Sequence, residues 1–469
     1  MKNKNDFSKG SIAKNILNLA IPMTLAQLIN ILYSIVDRMY IGRIPGASSL
    51  ALTGVGVTFP IITIVIAFAN LYGMGGAPLC SIERGKGNIK TAEEIMGNSF
   101  SLLILSGSIL TLIGLLIKKP LLYLLGASNN TFSYANSYIT IYLLGTIFVM
   151  ISLGMNSFIN SQGFGRIGMM TIALGAIVNI VLDPIFIFLF HMGVEGAALA
   201  TVISQFLSAL WVLKFLTSSD ALLRLKKKNL KIKIVYFKNI ISLGLSGFIM
   251  AITNSTVQMV CNITLQNFGG DLYVGVMTVL NSVREIVMMP VQGLTSASQP
   301  VLGFNYGAKK YSRVQSAIKF CSLSCIIYTV SIWIILMIFP KFFITLFNTD
   351  KQLIKLGIHC MNIYFFGFFM MSLQLSAQSI YVALGESKKA IFFSLLRKIF
   401  IVVPLTIILP LLFSLGTNGV FLAEPISNFI GGIASYSTMI LTVWKHLSLE
   451  IKRETSITIS NKIQNDVLI

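Results

Sequence analysis

The chain has 469 residues, 55% of them hydrophobic and only 11% charged, and its mean hydropathy is +0.81. A soluble domain carries about 25% charged residues, so this composition excludes an ordinary soluble domain and predicts an integral membrane protein whose partner is the lipid bilayer. The net charge of +20 would suggest nucleic-acid binding in a soluble protein, but most of the positive charge falls in short loops between apolar runs, where it reports topology instead.

Twelve apolar runs are long enough to cross a bilayer, which takes about 20 residues. In chain order they cover residues 13–41, 50–78, 95–117, 133–159, 167–190, 195–217, 234–267, 272–302, 314–339, 354–384, 390–413 and 419–445. Proline occurs inside several of them, which membrane helices tolerate when neighbouring groups satisfy the freed carbonyls. The runs predict an all-α integral membrane protein with twelve transmembrane helices.

The two halves of the chain resemble each other at a nearly constant offset. A shift of 222 residues places Pro78 on Pro300 and Gly85 on Gly307, and a shift of 223 aligns GVEGAALA with GTNGVFLA. The repeat predicts two pseudo-symmetric six-helix bundles related by an axis along the membrane normal. The predicted domains are an N-terminal lobe over 1–217, a cytoplasmic linker over 218–233, a C-terminal lobe over 234–446 and a cytoplasmic tail over 447–469.

The distribution of basic residues predicts the orientation in the membrane. With both termini in the cytoplasm, the outer loops hold only six of the 36 Lys and Arg residues, namely Arg43, Lys118, Lys119, Lys341, Lys351 and Lys355. This count assigns Arg38 and Arg284 to helices, and it assigns the remaining basic residues, including Arg397 and Lys398, to the inside. We therefore expect a multi-pass protein of the bacterial inner membrane with both termini cytoplasmic.

Acidic side chains inside membrane spans cost about 2.5–3.5 kcal/mol each and are functional candidates by default. The predicted spans contain four of them: Asp37, Asp183, Glu285 and Glu424. Helix rise places Asp37, Asn179, Asp183 and Thr201 at similar depth in the first half. Two carboxylates that share a low-dielectric site cannot easily both ionise, which makes the pair a proton-binding device.

Asn and Thr oxygens can equally help the carboxylates to hold Na⁺. These four residues are thus the candidate coupling site for H⁺ or Na⁺, and we expect no other metal site. Two alternatives are open. Asp183 can bond backbone at a kink beside Pro184, and Asp37 can serve only as the interfacial partner of Arg38.

The acidic residues of the two halves do not lie at equivalent positions of the repeat. The repeat partners of Asp37 fall near Met259 to Cys261, those of Asp183 fall near Leu405 and Thr406, and Thr201 maps onto Glu424. The candidates for the wall of a substrate cavity are Glu285, Arg284, Met155, Met288, Met289, Asn254 and Gln258. The alternatives are a neutral structural pair of Arg284 with Glu285, an interfacial role for Glu424, and ordinary packing of each methionine.

The strings that carry these residues resemble one family over essentially the whole chain. They are LAIPM followed by Asp37, VNIVLDPIFIF, GVEGAALAT and SQPVLGFNYGAKKYSRV. They resemble the multidrug and toxic compound extrusion (MATE) transporters, and within them the DinF-type and MepA-like members. The resemblance implies a first-half cation site at Asp37, Asn179, Asp183 and Thr201, and a first helix that bends near Pro22 when this site is loaded. Other branches place acids on helices seven and ten, where this sequence has Asn254, Gln258 and Asn362.

The function implied by the resemblance is antiport. H⁺ or Na⁺ enters and an amphipathic, cationic drug leaves, as two bundles rock around a central cavity. We expect a monomer without cofactor, and no enzyme, since the sequence shows neither a metal motif nor a nucleophile–base constellation. The rival is a lipid-linked oligosaccharide flippase of the same superfamily. It would favour a strongly cationic cavity, whereas the sequence count gives four intramembrane acids against two arginines.

Overall fold

The computed structural model describes residues 6–44, 48–347, 349–412 and 415–467, with the backbone alone for Ser48 and residues 457–467. Within these ranges all regular secondary structure is helical. The predicted all-α class is therefore confirmed.

The helices differ widely in length, from six residues to 74. In chain order they are α1 (Ile12–Ile41), α2 (Ser48–Gly85), α3 (Ile89–Leu124), α4 (Asn129–Leu144), α5 (Thr146–Ser161), α6 (Gly165–Pro184), α7 (Gly193–Thr217), α8 (Ile234–Gly307), α9 (Tyr311–Ile338), α10 (Pro340–Thr345), α11 (Lys351–Tyr364), α12 (Phe368–Ala383), α13 (Ser387–Leu395), α14 (Val403–Ile408), α15 (Thr417–Met439) and α16 (Lys445–Val467). Within the described ranges, three π-helical turns extend or join them, at Ile185–Leu189, Leu396–Val402 and Ile440–Trp444.

The number of spans depends on how bent helices are counted. Nine helices in the described ranges are long and apolar enough to cross a membrane, or eleven when each of the bent pairs α4–α5 and α11–α12 counts as one span. These pairs bend by 57° and 51°. The 74-residue α8 is two helices, because Gly270 interrupts it with φ 70° and ψ −168°, a conformation that glycine adopts without steric cost. Division at Gly270 brings the spans to the predicted twelve.

Packing divides the chain into two compact units. The first contains Asn18–Phe248, and the second contains Phe7–Leu17 and the chain from Ile249 onward. Each unit has a hydrophobic core of its own, with Leu103 in the first and Phe421 in the second. The division after Phe248 lies inside α8, beyond the linker that the sequence analysis placed over 218–233.

The segment 218–233 is fixed to the first unit by hydrogen bonds to α3 and to Gln162, the residue that follows α5. Lys226 Nζ lies 2.6 Å from Glu93 Oε2, and the backbone N–H of Arg224 donates to Glu93 Oε1 at 3.2 Å. The N–H of Leu223 donates to the Gln162 side chain at 2.7 Å, and Leu223 itself is buried. The predicted linker is therefore a packed part of the first unit.

The first turns of α8 belong to the first unit because glycine lets two backbones approach. Gly75 on α2 faces Gly244 on α8, and a Cβ placed at Gly244 would collide with the carbonyl group of Leu71. Small residues at such crossings are the usual device of membrane helix packing, since no hydrophobic force drives helices together in lipid. This crossing explains why the boundary between the units falls at Phe248.

We predict that Glu93→Gln destabilises the first unit more than Glu83→Gln does. Glu93 is buried and accepts hydrogen bonds from Lys226 and Arg224, and bonds to a charged group contribute about 1.5–3 kcal/mol. Glu83 pairs with the half-exposed Lys86, and such surface pairs contribute about 0–1 kcal/mol. Thermal unfolding of the purified protein in detergent measures both. Equal melting temperatures for the two variants would contradict the structural role of the segment.

Candidate functional site

Three of the predicted site residues form a hydrogen-bonded group between α6 and α7. Asn179 and Asp183 lie four residues apart on α6 and therefore share one face. Asn179 Nδ2 donates to Asp183 Oδ1 at 3.2 Å and to Thr201 Oγ1 on α7 at 3.3 Å. All three side chains are buried. Asp183 thus bonds a side chain rather than the backbone, so the alternative of a backbone-bonded kink is wrong.

The fourth residue, Asp37, joins this group from α1. Its carboxyl group lies next to that of Asp183. The neighbouring Arg38 places its guanidinium carbon 4.8 Å from the centre of the Phe59 ring. Two carboxylates in contact repel each other unless a proton or a cation lies between them. The structure therefore brings all four predicted residues together. Asp37 lies beside Asp183, so it is not only a partner of Arg38.

The group is rich in oxygen atoms that receive no donor. Asp37 Oδ1, Asn179 Oδ1 and Asp183 Oδ2 are buried and have no hydrogen-bond partner among the described residues. Buried acceptors are normally satisfied, and oxygen atoms of this kind are the ligands of hard cations. The described residues contain no group of three or more His, Cys, Asp or Glu side chains suited to a metal ion. Two carboxyl groups beside amide and hydroxyl oxygens fit a proton or a cation such as Na⁺.

Tyrosines that the sequence pattern did not single out also surround this group. Tyr33 and Tyr138 lie near Thr201 and Asp37, and Tyr142 lies near Tyr33. Tyr33 precedes Asp37 by one helical turn, and Tyr138 precedes Tyr142 by one turn on α4. That spacing is the only sequence signal for them, since helical neighbours four apart share a face.

The second unit contains a polar cavity of different character. Its uncharged polar lining consists of Asn254, Gln258, Cys261, Asn281, Tyr364 and Thr406. Its charged lining consists of Arg284, Lys398 and Glu424. The predicted cavity residues Asn254, Gln258 and Arg284 are therefore found together on this wall.

Glu424 is the centre of the charges in this cavity. Its Oε1 lies 2.9 Å from Arg397 Nη1, 3.4 Å from Arg284 Nη1 and 3.6 Å from Lys398 Nζ. Arg397 also donates to Asn428 Oδ1 at 2.7 Å. Glu424 is 5% exposed, so it is a buried partner of these cations rather than an acid exposed to solvent. Arg284 pairs with Glu424 across the unit, so its proposed neutral pair with Glu285 is not what the structure shows.

The loop count had assigned Arg397 and Lys398 to the cytoplasmic side of the membrane, and this was wrong. Both belong to the π-helical turn after α13, within an apolar span, and they are 3% and 5% exposed. They are retained there because Glu424 and Asn428 offer them oxygen partners. The interior of the second unit is therefore more cationic than the sequence count suggested.

The remaining predicted cavity residues lie elsewhere. Glu285 is exposed and is not part of this lining. Met155 is buried in the core of the first unit, and Met288 and Met289 are buried in the second. Thioether side chains fill irregular gaps in cores, which is where the structure places all three. Pro22 lies within α1, which continues through it.

The repeat relates the two polar groups. Shifts of 222 to 224 residues carry Asp37, Asp183 and Thr201 onto Cys261, Thr406 and Glu424, which all line the cavity of the second unit. Tyr142 maps onto Tyr364 of the same lining by a shift of 222. Equivalent positions of the two halves thus carry an acidic group in the first unit and a largely basic group in the second.

Comparison with curated proteins shows similarity along nearly the full chain. The chain is 26% identical over 458 residues to the multidrug export protein MepA of Staphylococcus haemolyticus (strain JCSC1435), covering 95% of this chain and 98% of that protein. It is 25% identical over 417 residues to MepA of Staphylococcus aureus (strain MRSA252), covering 87% of this chain and 90% of that protein.

Solved structures share the fold. A crystal structure of MATE in complex with MaL6 superposes with a TM-score of 0.88 over 96% of this chain and all of that chain, at 22% identity. The outward-facing conformation of a multidrug resistance MATE family transporter gives a TM-score of 0.87 over 96% of this chain and 99% of that chain, also at 22% identity. The twelve-helix fold expected from the sequence is confirmed by this likeness.

The family assignment rests on both halves of the chain. The MatE family model matches residues 22–185, which hold Asp37, Asn179 and Asp183, and again residues 247–408, which hold most of the cavity around Lys398. Because these two matches together cover more than half of the sequence and repeat once in each half, the chain is a multi-pass membrane protein that belongs to the MatE family.

Proposed function

We propose that this protein exports amphipathic drugs, cationic ones among them, from a bacterial cell in exchange for H⁺ or Na⁺. The observation that carries the proposal is the contact of the Asp37 and Asp183 carboxyl groups, with three buried oxygen atoms that lack a donor. Curated relatives that match nearly the whole chain are named multidrug export proteins. These names support export as the direction of transport and drugs as the cargo. The protein acts without a cofactor and as a monomer.

The coupling mechanism follows from the charge of this group. A ligand shifts a conformational equilibrium only through different affinities for the two states. Open to the outside, the carboxylate pair takes up a proton or Na⁺; neutralised, it can lie in a dry, closed bundle at far lower cost. Asp37 follows Pro22 by fifteen residues on α1, so a bend at Pro22 would move Asp37 relative to Asp183. Pro22 is therefore the proposed hinge.

The free energy stored in the ion gradient and the membrane potential determines how many ions the export of one drug molecule requires. One pH unit supplies about 1.4 kcal/mol per proton, and 100 mV supplies about 2.3 kcal/mol per net charge moved. Exchange of one H⁺ for one monovalent cationic drug moves no net charge, so only the pH gradient drives it. We place both termini in the cytoplasm, because the proposed outer loops carry few basic residues.

The flippase alternative is not favoured, because the relatives that match nearly the whole chain are named as multidrug export proteins. A flippase is expected to have a strongly cationic cavity. The presence of only two intramembrane arginines in the sequence count does not argue against a flippase, since Arg397 and Lys398 are buried as well. The choice between the two functions therefore rests on transport measurements.

We expect Asp37→Asn and Asp183→Asn each to reduce ion-driven uphill transport of ethidium at least tenfold. An amide cannot gain and lose the charge that the switch requires, whereas protein abundance and ethidium binding should be retained. Transport is measured in proteoliposomes under separately imposed H⁺ and Na⁺ gradients, which also identifies the coupling ion. Asp220→Asn is the matched control, because Asp220 is an exposed acid of the same unit.

Uphill transport at near wild-type rates in either variant would exclude that carboxylate as a coupling group. Loss of transport in Asp220→Asn as well would point to a general effect of removing acidic charge rather than to this site.

Glu285→Gln should raise the KM for ethidium about three- to tenfold and leave transport of a neutral phenanthridine of the same ring system unchanged. Glu285 is an exposed acid on α8, and its charge attracts a cationic dye. Asp271→Asn, which removes another exposed acid of α8, is the control. An equal change for both dyes would show that Glu285 does not select for charge.

A further inference from the structure

The segment 218–233 has a fixed position at the edge of the membrane. It joins two membrane helices, α7 and α8, so it lies at one surface of the bilayer. Its backbone is held on α3: Ser101 Oγ donates to the carbonyl oxygen of Leu230 at 2.6 Å, and the N–H of Lys233 donates to Asn98 Oδ1 at 2.6 Å. A ligand that binds the outward side of this segment therefore does not have to order the chain first.

The outward side of the segment and the start of α8 form a surface that we call the basic face. Its exposed cations are Lys227, Lys228, Lys231 and Lys238. None of the four forms an ion pair with a described residue, because the acids of α3 that reach the segment are already used: Glu93 binds Lys226, and Glu94 binds Lys233. The segment itself contains one acid, Asp220, at its other end. The basic face thus carries positive charge without a partner in the described part of the chain.

Exposed apolar side chains lie among these lysines. Ile232 is 41% exposed, and Ile234 and Val235 are each 63% exposed. On α8, Lys238 follows Ile234 by four residues and Val235 by three, so the three side chains share one side of the helix. A lysine in this position can lay its apolar stem along such side chains and keep its ammonium group at the level of the headgroups. The face therefore fits a partner with a negative charge and an adjoining apolar part.

We propose that the basic face binds anionic phospholipid headgroups of the surrounding bilayer. The phosphate groups lie against its four lysines, and the acyl chains lie against Ile234 and Val235. Lysine clusters beside membrane helices attract anionic lipids by charge, and each cation adds to the attraction. This goes beyond the proposed function, which concerns the coupling ion and the drug. Asp183→Asn should abolish uphill transport and leave lipid binding unchanged, so failure of one proposal is distinguishable from failure of the other.

The test measures binding of single lipid molecules to the purified full-length protein by native mass spectrometry, with phosphatidylglycerol as the anionic probe and phosphatidylcholine as the zwitterionic one. A triple glutamine variant, with Lys227→Gln, Lys228→Gln and Lys231→Gln combined, should weaken phosphatidylglycerol binding at least tenfold and leave phosphatidylcholine binding unchanged. Replacement of the same three residues by arginine should retain phosphatidylglycerol binding, because the charges are kept. Ile234→Ser combined with Val235→Ser should weaken it severalfold.

The matched control removes three exposed lysines of the second unit, through Lys341→Gln, Lys351→Gln and Lys355→Gln combined, and should change neither affinity. An equal loss of phosphatidylglycerol binding in this control would overturn the proposal, because the total charge of the protein rather than the basic face would then decide binding. Equal affinity of wild type and the triple glutamine variant, with both shown to be folded by their melting temperatures, would also overturn it. So would full displacement of phosphatidylglycerol by an equal concentration of soluble glycerol phosphate, since the acyl chains would then have no role.

Discussion

A charge enters the interior of a membrane protein only with a partner, and both polar groups of this structure follow from that constraint. In the first unit, two carboxyl groups lie next to each other and several of their oxygen atoms lack donors, which is the basis of the proposed ion site. In the second unit, Arg284, Arg397 and Lys398 all lie within 4 Å of one oxygen atom of Glu424. Each unit thus buries a group of charged side chains that are close to one another.

The internal repeat makes the two groups comparable. Tyr142 and Tyr364 hold corresponding places, and Asp183 corresponds to Thr406, so the same helical scaffold carries an acidic group once and a basic group once. Duplication supplied two equivalent positions in helical register, and only a few side chains decide the sign of each. The cations Arg397 and Lys398 have no charged counterpart in the first half, where the corresponding residues are Leu174 and Gly175. Divergence of the halves is therefore concentrated at a small number of buried positions.

Sequence reasoning succeeded where helix geometry alone decides the outcome. Asn179 and Asp183 share a face by spacing, and helix rise places them at the depth of Asp37 and Thr201. It failed for Arg397 and Lys398, because a basic pair near the start of an apolar run reads as the end of a loop, and only the packing of Glu424 shows that both are buried. The positions of Met155, Met288 and Met289 could not be predicted from the sequence either, since a flexible apolar side chain suits a core as well as a cavity wall.

The packing of 218–233 and of the first turns of α8 on the first unit has a consequence for synthesis. A nascent chain that has reached residue 233 still lacks Gly244, the residue that lets α8 approach α2. The first unit is therefore completed only after its seventh apolar segment has entered the membrane, and the second unit draws on Phe7–Leu17, which were made first. The two halves are repeats in sequence but interleaved in assembly order, so a gene cut at the polar segment would encode two incomplete units rather than two separable ones.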